Sequence, residues 1–220
     1  MEIDKSKLFE AIQQLEKSEL IALLDRTFTK MDGATQRNTF GPLFKQHTKK
    51  ERTPEKLLAD IEAFYKKSVD GYYYAPFDVN SKNFSDIPEE TDEWFDEIAD
   101  YLDFASELVE EKQYAMGLKC LNLLMELIDK MESGEEIVFA DELGSWMLST
   151  EEDYIEKYIL VVSKEVSSVD EYVELLIPRI KSDSFFSFYD KVYQKVKKHA
   201  NAEQLKAIKA AVKQQNIRVK

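Results

Sequence analysis

The chain has 220 residues, 44% of them hydrophobic and 12% aromatic, and a net charge of −13; it can bury a core and is too apolar to be intrinsically disordered. Six Gly and five Pro argue against an all-β protein built on tight turns, and one Cys excludes a disulfide framework and any multi-Cys zinc or iron–sulfur site. No apolar run approaches the roughly 18 residues of a membrane helix, and the amphipathic start from Met1 to Leu15 lacks an apolar signal core, so a reducing, cytoplasmic setting is expected.

The apolar spacing is helical nearly throughout. A first helix is predicted from Asp4 to Leu15, with Leu8, Ile12 and Leu15 on one side, and a second from an N-cap at Ser18, with Leu20, Leu23, Leu24 and Phe28, ending at Gly33. A short segment with Phe40, Leu43 and Phe44 follows, bent at Gly41-Pro42. Thr53-Pro54-Glu55 combines an N-cap, a proline at the first helical position and an acid in the first turn. Leu57, Leu58, Ile61, Phe64, Tyr65 and Ser68 continue that helix, and Gly71 sits where a C-cap belongs. Residues 71–90 form the one long irregular stretch, and its aromatics are expected to pin it to the helices. Thr91 is the predicted cap of a helix whose apolar stripe runs from Trp94 to Val109, opposite a row of acids. The next helix, Tyr114 to Met131, carries Gly117 within its stripe, where a neighbouring helix is expected to approach closely. Residues 137–148 are apolar, with a short helix from Asp141; further helices are expected after caps at Thr150, Ser168, Asp183 and Asn201, with a bend or stop at Pro178. The expected fold is all-α: about ten antiparallel paired helices in a solenoid-like array or bundle, read as one domain 1–220 or as two parts divided at the 71–90 loop.

Residues 105–124, with Tyr114 at a helix start and the small Gly117 three positions later, resemble part of a tetratricopeptide repeat, a family of paired helices repeating about every 34 residues. The family's Trp and Leu-Gly of its first helix and its terminal Pro do not stand in register. The resemblance implies a helical-hairpin array. The same stretch is more distantly similar to helical segments that accompany SWIM zinc fingers, whose metal signature one Cys cannot supply.

The charge is unevenly spread. Residues 86–156 carry 23 acidic and 3 basic side chains, whereas residues 181–220 carry 10 basic and 3 acidic ones. The acidic block repels phosphate, and the basic tail is expected to dock on it within the molecule, with a phosphate or an acidic partner as the alternative. Lys191, Lys195 and Lys198, then Lys206, Lys209 and Lys213, recur at helical spacing beside Phe186 and Tyr193, a pattern compatible with nucleic-acid backbone but read here as a solvated face.

Asp78, Asn80, Asp86 and Glu89 fall at positions 1, 3, 9 and 12 of an EF-hand-like calcium loop, but Lys82 at position 5 places a cation where a ligand oxygen is needed. The competing reading is a set of Asx turns. No zinc-hydrolase, P-loop, dinucleotide-binding or nucleophile-elbow motif occurs, His47 and His199 lie far apart in sequence, and no cofactor is called for. Cys120, beside an apolar stripe, reads as a small core residue. Asp141-Glu142 near Trp146 reads as helix capping.

Function is therefore expected to be non-catalytic: a protein-interaction module or scaffold using a helical surface. The candidate partner contacts are Tyr72, Tyr73 and Tyr74 in the loop, and Asp92, Glu93, Asp96, Asp100 and Asp103 on the acidic face. The alternatives are an acidic inhibitor of a basic nuclease or DNA-binding partner, and an enzyme with a carboxylate-only metal site.

Overall fold

The computed structural model describes residues 4–31, 35–36, 39–41, 43, 53–83, 86–139, 148, 151–186 and 191–219. The chain is all-α and forms two compact units, Met1–Arg52 and Thr53–Lys220; the 71–90 loop lies inside the second. Among the described residues the one β feature is an isolated parallel bridge between Tyr73 and Val138.

In the first unit, α1 (Lys5–Gln13) starts where the Asp4 carboxylate accepts the Ser6 and Lys7 N–H groups at 2.9 and 3.2 Å. Helix α2 (Lys17–Phe28) starts ahead of the predicted Ser18 cap: Glu16 is the cap, because the Glu19 carboxylate reaches back to the Glu16 N–H at 2.9 Å. The Gln36 amide donates to the Phe28 and Met31 carbonyls at the far end, and Phe40 meets Phe28 edge to face at 5.5 Å. Gly33, Pro42 and Phe44 lie outside the described residues. Neither α1 nor α2 buries a single residue.

The second unit opens with α3 (Pro54–Val69), capped by Thr53 as predicted, with Leu57, Ile61, Phe64 and Ser68 buried at intervals of 4, 3 and 4. It ends in a left-handed turn at Gly71 (φ +78°), where the Gly71 and Tyr72 N–H groups return to the Ser68 and Lys67 carbonyls. Helix α4 (Glu89–Glu110) begins after Pro88, so Thr91 lies within its first turn. The Thr91 hydroxyl is not a cap; it donates to the Phe139 carbonyl at 2.8 Å and ties the helix start to a segment 48 residues away. Helix α5 (Tyr114–Glu132) follows across a tight turn at Lys112 (φ +64°) and buries Gly117, Cys120, Leu121, Leu124, Met125, Leu127, Ile128 and Met131.

Helices α6 (Glu151–Glu165), α7 (Val169–Phe186), α8 (Lys191–His199) and α9 (Ala202–Gln214) complete the unit. Helix α5 packs on α3, α4 and α6; α6 also packs on α4, α7 and α8, and α9 packs on α7. The predicted role of Gly117 holds: a Cβ there would lie 2.9 Å from Val109 Cγ2 and 3.7 Å from Val161 Cγ1, so only a bare Cα lets α4 and α6 approach this closely.

One predicted helix start fails and another expectation narrows: Asp183 does not begin a helix, and of the bend or stop expected at Pro178 the stop does not occur, since α7 spans Val169–Phe186. A proline removes one N–H and the bond it would make four residues back, but Leu176, Ile177 and Ile180 are buried around it and hold the helix in place. The caps at Ser168 and Asn201 are as predicted, and the Gln204 side chain both accepts from the Asn201 N–H and donates to the Ser163 carbonyl, linking α9 to α6. The predicted helix from Asp141 and the cap at Thr150 lie outside the described residues.

Candidate interaction surface

The three loop tyrosines have different fates. Tyr73 is fully buried, against Phe64 at 5.6 Å, and its hydroxyl donates to Glu97 at 2.9 Å. Burial, then Glu97, raises its pKa. It is a core residue, which corrects its assignment as a partner contact. Tyr74 is half-buried, edge-on to Phe139 at 6.3 Å. Tyr72 is exposed, with Lys67 Nζ 5.2 Å from its ring centre. The expected pinning of the loop is real, through Tyr73 and through Phe77, edge-on to Phe139 at 5.4 Å, and beneath it Trp94 Nε1 of α4 donates to Ser68 Oγ of α3 at 2.9 Å.

On the acidic face, Glu93 and Asp103 are exposed, whereas Asp92, Asp96 and Asp100 are half-buried. The basic tail does meet the acidic block, at Glu156. Glu156 on α6 receives Lys198 Nζ at 2.7 Å and Lys195 Nζ at 3.5 Å, and His199 Nε2 lies 3.2 Å away. Hydrogen bonds from Lys198 and His199 hold its carboxyl at about 2, well below the usual carboxylate range. Lys157 pairs with Glu110 at 2.6 Å, and Arg179 grips Asp129 through both terminal nitrogens. Tyr193, beside the lysines weighed for nucleic-acid backbone, is buried in α8 with Lys197 over its ring; Lys206, Lys209 and Lys213 are exposed along α9.

The loop candidates for a metal are arranged as Asx turns. Asn80 Oδ1 accepts the Lys82 N–H at 3.0 Å, Asn83 Oδ1 accepts the Asn80 N–H at 2.6 Å, and both Asn amides donate to the Asp78 carbonyl. Oxygens engaged by the loop's own backbone are not directed at an ion, and among the described residues no three acidic, His or Cys side chains, Asp78, Asp86 and Glu89 included, come together in metal-binding geometry. Cys120 is buried, and burial pushes its thiol up to about 11, away from the reactive thiolate. Asp141, Glu142 and Trp146 lie outside the described residues.

The surface that sequence reasoning missed is on the first unit. Leu8, Phe9, Ile21, Leu24, Phe28 and Leu43 are 42–67% exposed. Helix α2 carries two adjacent apolar lines. Leu20, Leu23 and Thr27 are half-buried, whereas Ile21, Leu24 and Phe28, at spacings of 3 and 4, face solvent. The sequence pattern put Leu20, Leu23, Leu24 and Phe28 on one helix without separating the half-buried from the exposed. The signal that distinguishes them is size: helices of 9 and 12 residues are marginal alone, and a 52-residue unit has little interior to share.

No protein-family model matches the chain, and no curated protein or solved structure is significantly similar to it. No helix among the described residues is long and apolar enough to cross a membrane.

Proposed function

We propose that the protein is a non-catalytic interaction module whose first unit docks a protein partner on the exposed apolar line of α2, with Leu8 and Phe9 of α1 contributing. One observation carries this reading: α1 and α2 bury no residue yet hold five large apolar side chains at 42–57% exposure. Exposed apolar groups that recur along one helix face, as Ile21, Leu24 and Phe28 do, rather than scattered singly, mark association surfaces. The second unit, by contrast, turns its helical stripes into its own core, which suits a scaffold.

A second reading, an acidic protein that neutralises a basic partner, is favoured by the net −15 of residues 53–220 and by the exposure of Glu93 and Asp103. One experiment separates them. A tagged chain and its Leu24→Lys variant are used for affinity capture at low and high salt. Partners lost with Leu24→Lys but retained at high salt support apolar docking. Partners retained by the variant and lost at high salt support the electrostatic reading.

A further inference from the structure

We propose that the occupant of the exposed α2 line is α2 of a second copy of this chain, in an antiparallel, two-fold pairing; the inference rests on the docking reading above. Lys17, Ile21, Leu24 and Phe28 fall 4, 3 and 4 residues apart and so share one face, and all four are exposed. That face is charged at its two ends in opposite senses. Lys17 stands at its N-terminal end, and Asp25 flanks its C-terminal half.

A surface with this polarity complements itself when reversed. A two-fold axis passing between Ile21 and Leu24 sets Ile21 against Leu24 of the second copy. It places Lys17 beside Phe28 and Asp25 of the second copy, at the negative end of that helix. A parallel pairing would instead put Lys17 against Lys17 and Asp25 against Asp25. The pairing is isologous, so it closes as a dimer and leaves no repeating contact that could grow into a filament.

The charge balance permits the approach. Residues 1–52 carry net +2, with acids and bases interleaved, while the −15 resides in residues 53–220. Pairing two copies of α2 gives each apolar face the cover that a short helix lacks on its own.

The test is sedimentation equilibrium of the full chain across a concentration series, with thermal melts as the fold control. Twice the 25.7 kDa chain mass is expected for the wild type. Leu24→Lys places a charge at the centre of the pairing and is expected to weaken it by roughly 100-fold. Lys17→Asp and Asp25→Lys are each expected to weaken it about fivefold, and the double reversal K17D/D25K to restore it. A wild type that is monomeric at every concentration overturns the dimer, as does a dimer indifferent to Leu24→Lys or a double reversal without rescue. A monomer that still captures another protein through Leu24 sinks the dimer and leaves the docking reading standing. A monomer whose capture ignores Leu24 sinks both.

Discussion

Leu24 and Leu124 are the same residue in the same kind of place, an amphipathic helix with leucines three and four apart, and they end in opposite environments. Leu24 is 51% exposed on α2, and Leu124 is fully buried at the middle of α5. The difference lies in what surrounds each helix. Helix α5 has three neighbours, α3, α4 and α6, so its stripe is covered from several sides. Helix α2 belongs to a unit whose described helices bury nothing. An apolar stripe states that a face needs cover, not whether the chain itself supplies it.

The comparison breaks first at the core. Leu124→Ala should destabilise the second unit by about 2–5 kcal/mol in urea unfolding, from lost transfer energy and the cavity left behind. A cost below about 1 kcal/mol would show that α5 is not central. Gly117→Ala comes next. The helix-propensity gain of about 1 kcal/mol is opposed by the 2.9 Å approach to Val109 Cγ2, and a net loss of about 1–2 kcal/mol is expected. Val109→Ala in the same chain should recover part of that loss, since it removes the methyl in the way.

A smaller effect tests the contact between the charge blocks. The Glu156 carboxyl is held near 2, against about 4.5 for an ordinary one. Its stabilisation is therefore complete above about pH 4.5 and fades as pH falls toward 2. Glu156→Gln should flatten the acid limb of the stability curve across that window, read as urea midpoints from pH 2.5 to 6; an unchanged limb would mean the partners of Glu156 contribute nothing. The smallest effect sharpens the comparison directly: Leu24→Ala should leave the urea midpoint of the second unit within about 0.5 kcal/mol of wild type.

Much of the fold was legible in the sequence, and the failures have identifiable causes. Thr53-Pro54 and Asn201 announce their helices because a cap is local chemistry, settled within four residues. Gly117 announces a close approach because nothing else justifies a glycine in that stripe. Thr91 misled because its hydroxyl answers a carbonyl 48 residues away, which no window reveals. Pro178 left bend and stop open, and the stop does not occur because packing around α7 overrides a missing hydrogen bond. At the candidate surface, Tyr72 and Tyr73 are adjacent and equivalent by composition; only the fold separates them, sending one ring between Phe64 and Glu97 and the other to solvent. The α2 face was hidden for the opposite reason, since its pattern is the ordinary pattern of a buried helix.

The shared carboxylate of Glu156 has a consequence for any attempt to apportion stability among charged residues of the second unit. Lys195, Lys198 and His199 all converge on its two oxygens, so they are one cooperative ensemble rather than three separate bonds. When one of them is removed, the other two can redistribute over the vacated lone pairs, and single substitutions will understate the whole. Double-mutant cycles within this trio should be strongly non-additive, whereas a cycle joining any member to Arg179, which grips Asp129 instead, should close near zero.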